Sequence, residues 1–145
     1  MPELPAELET LIREIEAMPA DLRGHMLIEY ADEFASVPAG IATRPYPEEH
    51  RVPACESEAF VWAEDAPGAR LKYHFAVENP QGISAKALSV ILAQTVSGRP
   101  VEEIASVPTT IVNRIFGREL SMGKGAGLQG IVGMVTAEAR KRLRP

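Results

Sequence analysis

Cys55 is the only cysteine among 145 residues. It follows Val52-Pro53-Ala54, precedes Glu56-Ser57-Glu58, and lies just ahead of Phe60-Val61-Trp62, the apolar run that carries the one tryptophan. A lone thiol forms no internal disulfide and builds no multi-cysteine metal site by itself, so any sulfur chemistry rests on this residue. The thiolate is the species that attacks sulfur or carbon electrophiles, and a free cysteine titrates at about 8.5. His50 and Arg51 would favour the thiolate, and Glu56 and Glu58 would oppose it. If a strand begins this early, alternation places Glu56 on the opposite side from Cys55. Two readings of the thiol stand side by side: a nucleophile at an exposed loop tip, or a small buried apolar residue. The proline-rich lead-in favours the loop tip.

Other residue types that could do chemistry are sparse. The three histidines fall at positions 25, 50 and 74, and no pair has the spacing of metal ligands on a helix. No metal or cofactor is therefore expected. His50 could act as a base toward Cys55 or be a solvated loop histidine. Gly117 to Gly125 resembles a phosphate loop only superficially, because five residues rather than four separate Gly117 from Gly123, and Gly125 stands where the hydroxyl residue belongs. Glu48-Glu49 and Glu102-Glu103 read as solvated faces. The net charge of -5, from 20 acidic and 15 basic residues, argues against nucleic-acid binding. No apolar run of about 18 residues is present to span a membrane. The acidic N-terminus does not read as a signal peptide, and with one unpaired cysteine the chain is expected in a reducing cytoplasm.

These residues must be positioned by a single domain over residues 1–145, the simplest organisation for this length. Leu4, Leu8, Leu11, Ile12 and Ile15 recur at helical spacing, with Pro5 in the first turn and Pro19 closing the segment. Leu22, Met26, Tyr30 and Phe34 then fall four apart, predicting a second helix that ends by Pro38 and pairs with the first as an antiparallel hairpin. Between Val37 and Ser57, Pro38, Gly40, Pro45, Pro47 and Pro53 break any regular element. Irregular stretches of this length are often functional. Ala59 to Ala63 reads as a strand, Asp65-Ala66-Pro67-Gly68 as a turn, and Leu71, Tyr73, Phe75 and Val77 as a second strand with one wet face that includes Lys72 and His74. Arg51-Val52 could add a third, short strand.

Helical periodicity returns after Asn79-Pro80-Gln81-Gly82, with Leu88, Ile91, Leu92 and Val96 on one stripe. Short helices are expected over Val101 to Ala105 and Thr109 to Phe116. A last helix is expected from about Gly125, with Leu128, Ile131, Val132, Val135, Ala139 and Leu143 inward and Arg140, Lys141, Arg142 and Arg144 at the negative end of its dipole. Gly130 and Gly133 inside that helix point to close packing against another backbone. Helices, a small antiparallel sheet of about three strands, then more helices make the fold class α+β.

Val52-Pro53-Ala54-Cys55-Glu56-Ser57 followed by Phe60-Val61-Trp62 resembles the active-site segment of the SufE family, whose usual pattern is Val-x-Gly-Cys-Gln-Ser and then an apolar stretch with Trp. The resemblance extends over nearly the whole chain. Lys86-Ala87-Leu88 stands where the family commonly has Lys-Gly-Leu. Ser97-Gly98-Arg99-Pro100-Val101-Glu102-Glu103-Ile104 is similar to its Asn-Gly-Lys-Thr-Pro-Glu-Glu-Ile segment. Leu120-Ser121-Met122-Gly123-Lys124-Gly125-Ala126-Gly127-Leu128 is similar to Leu-Thr-x-x-Arg-x-x-Gly-Leu. Three departures stand out. Ala54 replaces a glycine, and alanine would be strained at a positive φ, so an ordinary φ is expected there. Glu56 replaces a neutral amide, and Lys124 replaces an arginine, keeping charge but losing the planar fork.

The resemblance implies a SufE/NifU-like fold and a sulfur-acceptor protein rather than an enzyme in its own right. A PLP-dependent, SufS-like cysteine desulfurase would be the partner, and iron–sulfur scaffold proteins the downstream recipients. Cys55 would take up the sulfur, supported by Ala54, Glu56, Ser57 and Lys124. Phe60 and Trp62 are candidates for the core or for the wall of a pocket that shelters a persulfide. Three rivals remain: a cysteine-dependent hydrolase or acyl transferase using His50, an iron–sulfur scaffold sharing a cluster between chains, and an adaptor in which Cys55 only packs.

Overall fold

The structure, a computed structural model, describes residues 4–53, 55–117, 120 and 122–143. Helix α1 spans Ala6–Glu16, with Pro5 as its N-cap, and buries Leu8, Ile12 and Ile15. Helix α2 spans Ala20–Asp32 and ends well before Pro38. Of the stripe expected on α2, Met26, Tyr30 and Phe34 pack partly buried against the core, whereas Leu22 is 54% exposed. The reason is geometric. A four-residue step overshoots a helical turn by about 40°, so a stripe of such steps drifts around the axis, and Leu27 packs on the core as well.

Strands β1 (Ala59–Ala66) and β2 (Arg70–Val77) form an antiparallel hairpin in a register that runs from Ala59 opposite Val77 to Ala66 opposite Arg70. The turn uses positive φ at Gly68 and Ala69. The expected third strand is reduced to a single bridge, Arg51 to Phe60, so the sheet has two strands. Alternation sorts the side chains. Ala59, Val61, Leu71, Tyr73, Phe75 and Val77 enter the main core, while Phe60, Trp62 and Ala76 face the other way. That second face is wet only toward Glu64 and Lys72. Elsewhere Val37, Ala42 and Tyr46 of the proline-rich segment cover it, with the Tyr46 ring 5.2 Å from Phe60 and 5.1 Å from Trp62. His74, expected on the wet face, has a side chain only 9% exposed and lies 2.9 Å from Glu64 Oε1.

Helix α3 (Ile83–Thr95) is buried nearly all round, including Ser89 and Thr95, whose hydroxyls donate to the carbonyls of Ala85 and Ile91. A helix with apolar side chains on most of its faces belongs at the centre of a domain. It packs on β2, α1 and α2. Helices α4 (Val101–Ala105) and α5 (Ile111–Phe116) follow, each burying two or three aliphatic side chains. Helix α6 (Met122–Lys141) lies against β1, α3 and α4 and buries Leu128, Ile131, Val132, Val135 and Ala139. Leu143, expected inward, lies beyond the helix end and is 46% exposed. Arg144 falls outside the described residues. The buried Tyr73 hydroxyl donates to the Val135 carbonyl at 2.7 Å and fastens the sheet to α6. Burial pushes its phenol well above the usual value. Among the described residues no helix is long and apolar enough to cross a membrane.

Candidate functional site

The loop that carries Cys55 is pinned at both ends. Arg51 bridges Phe60, and the Val52 N–H donates to the Ala59 carbonyl at 2.8 Å, which closes residues 52–59 into a ring of chain. At the tip the Glu58 N–H donates to the Cys55 carbonyl at 3.1 Å, making a four-residue turn over Cys55 to Glu58. Glu58 adopts φ 54°, a left-handed conformation unusual for a residue with a side chain. Backbone strain of this kind concentrates at functional loops.

The turn that follows β2 grips the loop from the side. Glu78 N–H donates to the Glu58 carbonyl and Asn79 N–H to the Ser57 carbonyl, both at 3.1 Å, which extends the β1–β2 ladder into the loop. The Asn79 side chain adds a bond from Nδ2 to the Glu56 carbonyl at 3.2 Å. Its Oδ1 accepts from the Gln81 N–H at 2.9 Å, an Asx-type turn that holds the side chain in place. Gly82 is then so close that a Cβ there would sit 3.0 Å from Ser57 Cβ and 2.8 Å from a Val77 methyl carbon. The sequence marks Asn79-Pro80-Gln81-Gly82 as a turn but gives no sign of what it touches.

Cys55 is 8% exposed and belongs to the main core cluster. This corrects the expectation of an exposed loop tip: the thiol sits on a loop, but the loop is folded inward. Ala54 lies outside the described residues. Glu56 is exposed, Ser57 is half-buried, and Lys124 is exposed in the first turn of α6. The start of that helix adjoins the loop, since a Cβ on Gly123 would lie 3.9 Å from Glu56 Oε1. The structure therefore brings Cys55, Glu56 and Ser57 together with the helix end that bears Lys124.

Other candidates lie elsewhere. Phe60 and Trp62 belong to the second cluster, on the sheet face away from the one that includes Cys55, so they do not wall a pocket for it. The His50 ring stacks on Trp62 at 5.1 Å, and its Nδ1 lies 2.9 Å from the Val61 carbonyl, which can only accept. That nitrogen carries the proton, and the ring packs on Trp62 of the second cluster rather than in the cluster that includes Cys55, which weighs against the hydrolase reading. A cleft of about 210 Å³ lined by Phe34, Val37, Phe75 and Val90 contains no residue of the cysteine loop. Among the described residues no group of three or more histidine, cysteine, aspartate or glutamate side chains could hold a metal ion. The Gly117 to Gly125 segment follows helix α5 rather than a strand, unlike a phosphate-binding loop.

Fold and site together define a small α+β domain built around one inward-folded thiol. Residues 9–139 match the model of the SufE family, described as an Fe-S metabolism associated domain, and the chain belongs to that family. Among solved structures, the chain is similar to one described as the solution structure of a hypothetical protein from Thermus thermophilus. The two share 24% identity and a TM-score of 0.77 over 97% of this chain and 98% of the other, a likeness of fold. No curated protein matches the chain. Membership in the family gives the protein a role in Fe-S metabolism.

Proposed function

We propose that this protein accepts sulfur on Cys55 from a cysteine desulfurase and stimulates that enzyme, for iron–sulfur cluster assembly. The observation that carries the reading is the placement of the chain's one thiol, within a SufE-family domain, on a closed turn packed against the end of α6 that bears Lys124. In the proposed step Cys55 gives up its proton, and its thiolate attacks the outer sulfur of a persulfide on the partner's cysteine. The sulfur–sulfur bond to the partner breaks, the partner's cysteine leaves as a thiolate and takes up a proton, and Cys55 becomes the persulfide. Sulfur changes hands without net oxidation, as in thiol–disulfide exchange, and the rate follows thiolate fraction and access. No metal or cofactor on this chain is required.

Burial of Cys55 adds a condition. A nucleophile must reach its target in line, so the 52–59 loop has to swing outward when the partner docks, and much of the acceleration would come from that positioning. A buried resting thiol is correspondingly protected from stray oxidants. The deciding experiment is mass spectrometry of the protein mixed with a candidate desulfurase and free cysteine. One sulfur atom added at Cys55, and absent from Cys55→Ser, is expected. Full stimulation of the desulfurase by Cys55→Ala, with no sulfur on the wild-type protein, would make it an adaptor instead.

A further inference from the structure

We infer that Gly127 is a positioning residue that seats the Cys55 thiol, and that the missing side chain there sets how often the thiol is presented to a partner. The use of this seat rests on the sulfur-acceptor reading; the seat itself rests on geometry. Gly127 is buried in the second turn of α6. A Cβ built on it would lie 3.2 Å from Cys55 Cα, 3.3 Å from Sγ and 3.4 Å from Cβ, closer than neighbouring groups ordinarily approach. The same helix face continues the fit in both directions. A Cβ on Gly130 would lie 2.8 Å from Val52 Cγ1 and 3.5 Å from the Pro53 carbonyl oxygen, and one on Gly123 would lie 3.9 Å from Glu56 Oε1. Positions 123, 127 and 130 are four and three apart and share one face. The loop thus runs across α6 against its direction, Glu56 over Gly123, Cys55 over Gly127 and Val52 over Gly130.

The other glycines of the helix make the contrast. Gly125 and Gly133 have nothing within 4 Å of a built Cβ. Gly125, two residues from Gly127, lies off that face, Gly133 lies past the stretch of helix that the loop contacts, and the expected close packing at Gly133 is not found. Glycine weakens a helix interior relative to alanine. At Gly127 and Gly130 that weakening is matched by a bare stretch of helix on which the thiol loop lies flat. Because van der Waals contact at this distance has no slack, a methyl at position 127 presses on the Cys55 backbone. An isopropyl group cannot be accommodated unless the loop lifts, and lifting exposes Sγ.

The test measures alkylation of Cys55 by iodoacetamide under native conditions, together with denaturant unfolding, for wild type, Gly127→Ala, Gly127→Val and the control Gly133→Ala. The expected order of rates is wild type equal to Gly133→Ala, then Gly127→Ala, then Gly127→Val, the last faster by about tenfold from modest overpacking. Gly127→Ala carries the comparison if the valine variant does not fold. Rates indistinguishable from wild type would overturn the inference. So would an acceleration no greater than that of a core variant, Ile131→Val, brought to the same unfolding midpoint, because general loosening would then explain it. Sulfur loading by a desulfurase is measured on the same proteins. Faster alkylation without any loading in the wild type sinks the acceptor reading and leaves the seat standing, and normal loading with unchanged alkylation does the reverse.

Discussion

Asn79 and Glu56, 23 residues apart, are joined where the second strand ends: Asn79 Nδ2 donates to the Glu56 carbonyl at 3.2 Å. With the Asn79 N–H on the Ser57 carbonyl, this makes the turn after β2 a fastener for the cysteine loop. Asn79→Ala removes the side-chain bond and the acceptor for Gln81 N–H but keeps the backbone one. An exposed bond of this kind contributes about 1 kcal/mol. The expected outcome is a small drop in the denaturation midpoint and faster alkylation of Cys55. Equal rates in mutant and wild type would show that the backbone ladder alone holds the loop.

Tyr73→Phe tests the link between sheet and helix. The change leaves the ring in place and removes the hydroxyl that donates a second bond to the Val135 carbonyl at 2.7 Å. The carbonyl keeps its place in the α6 hydrogen-bond ladder, so what is lost is one net hydrogen bond of about 0.5–1.5 kcal/mol, and urea unfolding should show a loss in that range with the fold retained. A loss near zero would mean that packing of the ring, not its hydroxyl, fastens the sheet to α6.

Elements whose contacts are local were legible in the sequence. The stripe of Leu88, Ile91, Leu92 and Val96 is buried as expected, and α4 occupies Val101–Ala105, the expected range. What failed depends on distant partners. The chain from Val37 to His50 shows no period because it is shaped by the hairpin it covers, with Val37 N–H on the Phe75 carbonyl and Tyr46 against Trp62. The third strand shrank to one bridge because the chain turns inward at Pro53 toward α6. Cys55 itself was visible at once, but its burial was not, since burial is set by Gly127, Gly130 and Asn79, none of them near it in sequence. Gly127 is one letter of a motif in the sequence, and its contact with Cys55 arises only when α6 and the loop fold together.

Arg114 supplies a pH-dependent term. It bonds Glu16 at 2.8 and 3.0 Å and Glu9 at 3.2 Å, tying α5 to α1. The guanidinium of Arg114 holds the Glu16 carboxyl below its usual range, and Arg13 followed by Arg114 does the same for Glu9. A carboxyl whose folded pKa is depressed stabilises the fold above its unfolded value, about 4.3, and loses that contribution as pH falls through the folded value. These groups are solvent-accessible, so each pair is worth up to about 1 kcal/mol. Arg114→Gln should lower the melting temperature at neutral pH and narrow its gap from wild type as pH falls below about 4. A gap constant across that range would assign the effect to packing.

Cys55→Ser separates transfer from folding. Oxygen replaces sulfur at nearly the same size, so the loop should close as before, at a cost of about 1–3 kcal/mol for a buried hydroxyl. Sulfur loading should vanish because the hydroxyl cannot hold a persulfide. Circular dichroism and unfolding report the fold, and mass spectrometry reports the sulfur. Loading that persists in the mutant would place the acceptor elsewhere, and with no second cysteine in the chain it would defeat the reading outright.

Lys124→Glu probes the docking edge. The lysine is exposed one residue after Gly123, whose Cβ position lies 3.9 Å from the Glu56 carboxylate. Positive and negative charge therefore flank the face on which the proposed desulfurase would approach the thiol. Exposed charges at the edge of an interface act chiefly on encounter and weaken with salt. Reversal at Lys124 should raise the concentration of this protein needed for half-maximal loading by a desulfurase severalfold at low salt. The effect should shrink at high salt and leave the loading rate at saturation unchanged. Lys124→Arg keeps the charge and should titrate like wild type, unless the planar fork matters, in which case it binds more tightly. Titration curves of wild type and Lys124→Glu that coincide at low salt would remove Lys124 from the docking edge and leave partner recognition to the loop itself.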